Sequence, residues 1–146
     1  MELIIRQAET DDFDSITNLL TSNDLPVADL IESNVNLFIG SINNTIVSSV
    51  GLEKYNSIAL FRSLAVDRVF RNQSIGTALI NRIFDYCISE KIEELYLLTT
   101  TAAGYFEKHG FEKVTRDSVP LQIKQTQEYT DICPVSAVAM KKSLNQ

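Results

Sequence analysis

Ser63-Leu-Ala-Val-Asp-Arg-Val-Phe-Arg-Asn-Gln-Ser-Ile-Gly-Thr-Ala-Leu79 is the stretch whose reading decides the fold. It runs from an apolar strand through a tight polar loop into an amphipathic helix. A loop of this kind aims successive backbone N–H groups, together with the positive end of the helix, at one point. That point suits an anion such as a pyrophosphate. Ser74 and Gly76 are small enough to let a ligand approach the backbone. Neither a P-loop nor a dinucleotide fingerprint fits, because the loop has no Gly-Lys-Thr and no GxGxxG.

Outward from this stretch, Ile75, Leu79, Ile83 and Cys87 recur at four-residue spacing, supplemented by Ile80, Phe84 and Ile88. This predicts a helix with a wide apolar face, packed on a sheet. Upstream, Leu37 to Ile42, Thr45 to Glu53 and Ile58 to Val66 read as strands of an antiparallel meander, with turns at Asn43-Asn44 and near Tyr55-Asn56-Ser57. Before them come a strand at Leu3 to Arg6 and a helix opened by Thr10-Asp11-Asp12, carrying Phe13, Ile16, Leu19 and Leu20. Pro26 opens a further helix with Val27, Leu30 and Ile31 on one face, after a polar loop from Thr21 to Leu25. Downstream, Leu95 to Leu98 is a buried strand, Ala102 to His109 a short helix ended by Gly110, and Phe111 to Thr115 a strand. Ser118-Val119-Pro120 starts a helix through about Tyr129, and Ser136 to Lys142 forms the last strand. No linker, repeat or low-complexity segment divides the chain, so one mixed α/β domain over residues 1–146 is expected.

Composition limits the partners. The 146 residues are 45% hydrophobic, enough for a core, and the formal net charge is −6. That balance, with no basic stripe, argues against nucleic acid. No apolar run approaches the roughly 20 residues of a membrane span, and Met1 to Arg6 does not read as a secretion signal. A cytoplasmic protein that meets no membrane is expected. Cys87 and Cys133 lie far apart, and His109 is the single histidine, so neither a disulfide scaffold nor a metal site is expected.

Leu64-Ala65-Val66 followed by Arg71-x-x-Ser74-x-Gly76-Thr-Ala-Leu resembles the acetyl-coenzyme A motif of GNAT acetyltransferases, Q/R-x-x-G-x-G/A, with Ser74 in place of its first glycine. A second block, Leu95-Tyr-Leu-Leu-Thr99, Ala102 and Tyr105-Phe-Glu-Lys-His-Gly-Phe111, resembles the family's late strand and its F-Y-E-K-x-G-F helix. The resemblance implies an α/β (α+β mixed sheet) fold with a central, mostly antiparallel sheet of about seven strands flanked by helices. It implies acetyl-CoA as co-substrate, and direct transfer to an amine without metal or acyl-enzyme. Leu64, Ala65 and Val66 would pair with the pantetheine arm, while Arg71, Asn72, Gln73, Ser74, Ile75, Gly76 and Thr77 would hold the pyrophosphate. Thr99 falls where many members carry a coenzyme-contacting Asn, and Phe106 where many carry a Tyr general acid. A phenyl ring cannot protonate a thiolate. Adjacent Tyr105 is the candidate substitute.

Leu97-Leu-Thr-Thr-Thr101, Tyr105-Phe106, Gly110-Phe111 and Asp117-Ser-Val-Pro120 are similar to the acetyltransferase domain of N-acetylglutamate synthase. Arg62-Ser-Leu-Ala-Val66, Thr99-Thr-Thr101 and Cys133-Pro134 are similar to the small GNAT proteins of arsenic-resistance operons. The synthase's Arg-Arg-Ser run near the C-terminus is here Asp131, Ile132 and Cys133, which argues against glutamate itself. The expected acceptor is a small amino-acid-like amine. A coenzyme-binding module of weak activity and a peptide or protein amine acetyltransferase are the alternatives, and a homodimer stays open.

The residues supply candidates for the acceptor side. Attack on a thioester needs a neutral amine, hence a base, and Glu53 at the end of a central strand is the candidate. Its bland alternative is a surface carboxylate. Arg62, inside an apolar strand, is either a carboxylate clamp or an ion-paired arginine. Arg116 and Lys124 are further candidate clamps or solvated charges. Thr100 and Cys133 are candidate acceptor contacts, and His109 is read as a helix C-terminal dipole partner.

Overall fold

A computed structural model describes residues 2–23, 25, 35–71, 74–100, 102–126 and 137–144. Its elements in chain order are β1 (Leu3–Gln7), α1 (Phe13–Ser22), β2 (Val35–Ile42), β3 (Thr45–Tyr55), β4 (Ile58–Val66) and α2 (Ile75–Ser89). There follow β5 (Glu94–Thr99), α3 (Ala103–Glu107), β6 (Glu112–Val114), α4 (Leu121–Lys124) and β7 (Val138–Ser143). The seven strands form one sheet in the order β1-β2-β3-β4-β5-β7-β6. Every neighbouring pair is antiparallel except β4 with β5. The mostly antiparallel mixed sheet expected from the sequence is therefore present.

The turn residues set the strand registers. Asn43 and Asn44 both take positive φ, 52° and 65°, as a two-residue turn between β2 and β3 requires. At the next turn Asn56 takes φ 61°, closing Tyr55 onto Ile58. That pairing places Glu53 opposite Leu60.

Successive strand residues face opposite sides, so the sheet builds two surfaces. On one, α2 lays Ile75, Leu79, Ile80, Ile83 and Cys87 against Phe38, Val50, Leu52, Phe61, Leu95 and Leu97. The other face carries two separate clusters. Ile16, Leu19 and Leu20 of α1 meet Leu37, Ile39 and Ala65, while Val119 and Ile123 meet Leu60, Tyr96 and Ala139.

Two expectations change, and a third is not tested. The helix read from Ser118 to Tyr129 is a 3-10 turn at Arg116–Ser118 and a single turn at Leu121–Lys124 within the described residues. The helix read from Ala102 to His109 is confined to Ala103–Glu107, with Gly110 at φ 95° as the left-handed residue that stops it. The helix opened by Pro26 lies outside the described residues, as do Asn72, Gln73, Thr101 and Cys133.

Candidate active site

The site begins at an irregularity in β4. Ser63 stands at φ 61°, a left-handed conformation uncommon for a residue with a Cβ. There the β3–β4 register slips: Ser49 pairs with Ala65 and Gly51 with Arg62, so Val50 faces both Ser63 and Leu64. This is a β-bulge, which bends the strand and re-aims its side chains. The slip turns Leu64 toward the α2 face and Ala65 toward the α1 face. Buried side chains hold the bulge in place. Ser49 Oγ donates to the Ser63 carbonyl at 2.9 Å, and Arg62 Nε donates to Ser63 Oγ at 3.1 Å.

β4 and β5 pair over three positions only, Ile58 with Glu94, Ala59 with Leu95 and Leu60 with Tyr96. Beyond them β4 continues to Val66 and β5 to Thr99 with no ladder between the two. β3 covers one edge of β4 there and β7 one edge of β5. The facing edges, from Phe61 and Leu97 onward, are a gap between parallel strands into which an extended amide-bearing chain can hydrogen-bond. Leu64, Ala65 and Val66 lie on this edge of β4.

The loop at the open end of the gap is shaped by Asp67, whose Oδ1 accepts from Val69 N at 3.0 Å and caps the 3-10 turn Arg68–Phe70. Arg71 then extends, donating from Nε to the Val66 carbonyl at 3.3 Å and from Nη2 to Asn23 Oδ1 at the end of α1. Ser22, Asn23, Asp67, Arg68 and Arg71 line a polar groove of 360 Å³ beside it. Ser74 adopts φ 63° as the residue preceding α2, a conformation glycine takes without strain. Its side chain makes no capping bond. The amides of Ile75, Gly76 and Thr77 thus open α2 without a side-chain acceptor, the arrangement that receives anions at helix N-termini.

On the face that carries α1, between the α1 cluster and the Val119/Ile123 cluster, lies a buried polar set. Glu53 and Arg62 are 2% and 3% exposed, so the surface alternative for Glu53 does not hold. Arg62 Nη1 donates to Glu53 Oε2 at 2.8 Å, and Tyr55 Oη donates to Glu53 Oε1 at 2.6 Å. These charge-assisted bonds fix the carboxylate's orientation and offset the desolvation of both charges. The sequence reading missed Tyr55, Ser49 and Ser63. The signal for Tyr55 was present: the two-residue turn at Asn56-Ser57 puts residues 53, 55, 60 and 62 on one face.

The remaining expected residues fall as follows. Arg62, Arg116 and Lys124 do not converge as free clamps. Arg62 holds Glu53, Arg116 Nη1 donates to the Ala137 carbonyl at 2.9 Å, and Lys124 Nζ donates to the Asp117 carbonyl at 3.2 Å. Thr99 Oγ1 accepts from Ala102 N at 3.0 Å, holding the entry to α3, and Thr100 is exposed. Phe106 is buried, with its ring 5.7 Å from both Phe61 and Phe111. Tyr105 lies elsewhere, with its hydroxyl over Gly76 at the start of α2. His109 rests against the Tyr105 ring at 4.9 Å. Burial, and then Lys142, lower its pKa from the ordinary histidine value, which disfavours the charged form that would pair best with a helix C-terminus. Among the described residues no three His, Cys, Asp or Glu side chains are grouped to hold a metal ion, and no helix is long and apolar enough to cross a membrane.

Comparison with known proteins agrees with this layout. An uncharacterised N-acetyltransferase of Chlorobaculum tepidum is 26% identical over 98 residues, 66% of this chain and 63% of that protein. An amino-acid acetyltransferase of Photorhabdus laumondii is 29% identical over 82 residues, 55% of this chain and 18% of that protein. The chain therefore spans less than two thirds of the length of either relative. N-acetylglutamate synthase of Neisseria gonorrhoeae, solved with coenzyme A and N-acetyl-glutamate, superposes with a TM-score of 0.84 at 18% identity, over 100% of this chain and 36% of that one. Residues 33–113, more than half of the chain and the part that holds both the β4–β5 gap and the start of α2, match the acetyltransferase (GNAT) domain. The chain belongs to the GNAT acetyltransferase family.

Proposed function

We propose that this protein transfers the acetyl group of acetyl-CoA directly to the amine of a small amino-acid-like acceptor. The observation that carries the reading is the parting of β4 from β5 after three pairs, in line with the uncapped start of α2. The facing edge at Leu64, Ala65 and Val66 takes the amides of the pantetheine arm. The amides of residues 71 to 77 take the pyrophosphate, and the thioester lies in the gap near Phe106. The acceptor enters from the α1 face, where Glu53 removes a proton from its ammonium, directly or through a water. The neutral amine attacks the thioester carbonyl to form a C–N bond, the C–S bond breaks, the thiolate leaves, and the now cationic nitrogen gives up its second proton to solvent. A thiol of ordinary acidity is a good enough leaving group to collect its proton from water, which fits Phe106 in place of a tyrosine.

The nature of the acceptor is supported by the amino-acid acetyltransferase relative and by the N-acetyl-glutamate found in the synthase. Arg62 serves in this reading by holding Glu53, and Thr100 and Cys133 are proposed to border the acceptor. Release of coenzyme A thiol should be measured with free amino acids, their decarboxylated amines, polyamines, short peptides and amino-acid-like toxicants. Turnover is expected with carboxylate-bearing small amines. Activity confined to peptides or polyamines would overturn the acceptor assignment and leave the coenzyme assignment standing.

A further inference from the structure

Tyr105 is an exposed aromatic side chain, 39% accessible, that the transfer chemistry above does not use. Its position is specific. A Cβ built on Gly76 would lie 2.6 Å from the Tyr105 hydroxyl oxygen, 3.8 Å from its ring carbon Cζ and 3.8 Å from Val66 Cγ2. The hydroxyl therefore occupies the small volume that the absent side chain of Gly76 leaves, directly over the opening turn of α2. The ring is held there by Phe106, edge-on at 5.4 Å, and by His109 at 4.9 Å.

We infer that Tyr105 is a coenzyme-binding residue whose hydroxyl joins the α2 amides in holding the pyrophosphate, rather than the proton donor for the leaving thiolate. This rests on the placement of the coenzyme proposed above. A phenol hydroxyl can donate as well as accept, so in this position the Tyr105 proton is available to a phosphate oxygen at the opening turn of α2. A tyrosine hydroxyl of ordinary acidity, with a pKa of about 10, keeps its proton at neutral pH, and partial burial shifts the Tyr105 value further up. The contact also explains why this chain has glycine at position 76, where the family motif admits alanine. An alanine methyl would collide with the hydroxyl, and the long side chain would yield by swinging away.

Titration calorimetry with coenzyme A tests this in four proteins: wild type, Tyr105→Phe, Gly76→Ala and the double variant. Loss of one hydrogen bond to a charged group predicts coenzyme A binding roughly tenfold weaker in Tyr105→Phe. Gly76→Ala is expected to lose a similar factor by displacing the hydroxyl. The double variant should be within about twofold of Tyr105→Phe, because without the hydroxyl the new methyl meets only ordinary contacts. Multiplicative losses, or a Tyr105→Phe protein that binds coenzyme A like wild type, would overturn the inference. Lower turnover at unchanged coenzyme A affinity would make Tyr105 the proton donor instead. If wild type itself does not bind coenzyme A, the coenzyme placement fails before the role of Tyr105 is reached.

Discussion

Glu53 and Arg62 are two charges taken wholly out of water on adjacent strands, and their union decides what each can do. Arg62 neutralises Glu53 and aims it, while each carboxylate oxygen keeps a second lone pair beyond the bonds from Arg62 and Tyr55. Glu53→Gln therefore combines two losses. Without a base the rate per folded molecule should fall by about 10²–10⁴-fold. Without the Glu53 charge this buried ion pair is broken, and breaking such a pair typically costs about 3–5 kcal/mol. Urea unfolding and turnover on the same preparation separate the two, with coenzyme A affinity expected to hold. A variant that keeps both rate and midpoint would remove Glu53 from the mechanism. The sequence named both residues but not their pairing, because an isolated charge in an apolar strand does not say which neighbour it meets. Only the register set by Asn56 and Ser57 brings Arg62 diagonally beside Glu53.

At the scale of elements, the bulge in β4 makes the site, since it re-aims the strand where β4 and β5 part. Its key residue, Ser63, combines an unfavourable φ with two buried hydrogen bonds that tie it to Arg62 and Ser49. Ser63→Gly relieves the backbone and loses the hydroxyl, so its stability should stay within about 1 kcal/mol of wild type. Ser63→Val loses the same hydroxyl and puts a β-branched residue at positive φ, which should cost roughly 2 kcal/mol or more. Urea midpoints compare them, and equal midpoints would mean that φ at Ser63 does not hold the bulge. The sequence exposed β2, β3, β4 and α2 clearly, through alternation of apolar residues and the four-residue spacing of Ile75, Leu79, Ile83 and Cys87. It did not expose the bulge, because a serine in a run of strand formers carries no sign of left-handed backbone. The loop was legible in part. Ser74 stands where the motif has glycine and adopts a glycine conformation, whereas nothing in the sequence shows that the Tyr105 hydroxyl lies over Gly76.

Across the whole molecule, one sheet carries a continuous core against α2 on one face and two separate clusters on the other, and the buried Glu53–Arg62 pair occupies the junction between those two. A titrating group is buried on each face, so alkaline pH can test both packings. Burial pushes the Cys87 thiol in the α2 core up to about 12. Burial, and then the hydrogen bond to Glu94, push the Tyr96 hydroxyl on the opposite face up to about 12. In the unfolded chain these groups ionise near about 8.5 and 10. Both folded values are raised, so the contribution is complete below the unfolded pKa and is lost as pH rises toward the folded one. Stability should therefore decline from about pH 9 upward, more steeply above about pH 10 where both groups take part. Cys87→Ala is expected to flatten the decline from its onset, and Tyr96→Phe only its upper part, whatever constant offset each substitution adds. Urea midpoints at intervals between about pH 8 and 11 measure the slopes. If both variants ran parallel to wild type, neither group would titrate differently on unfolding, and the two faces would not exclude water as described.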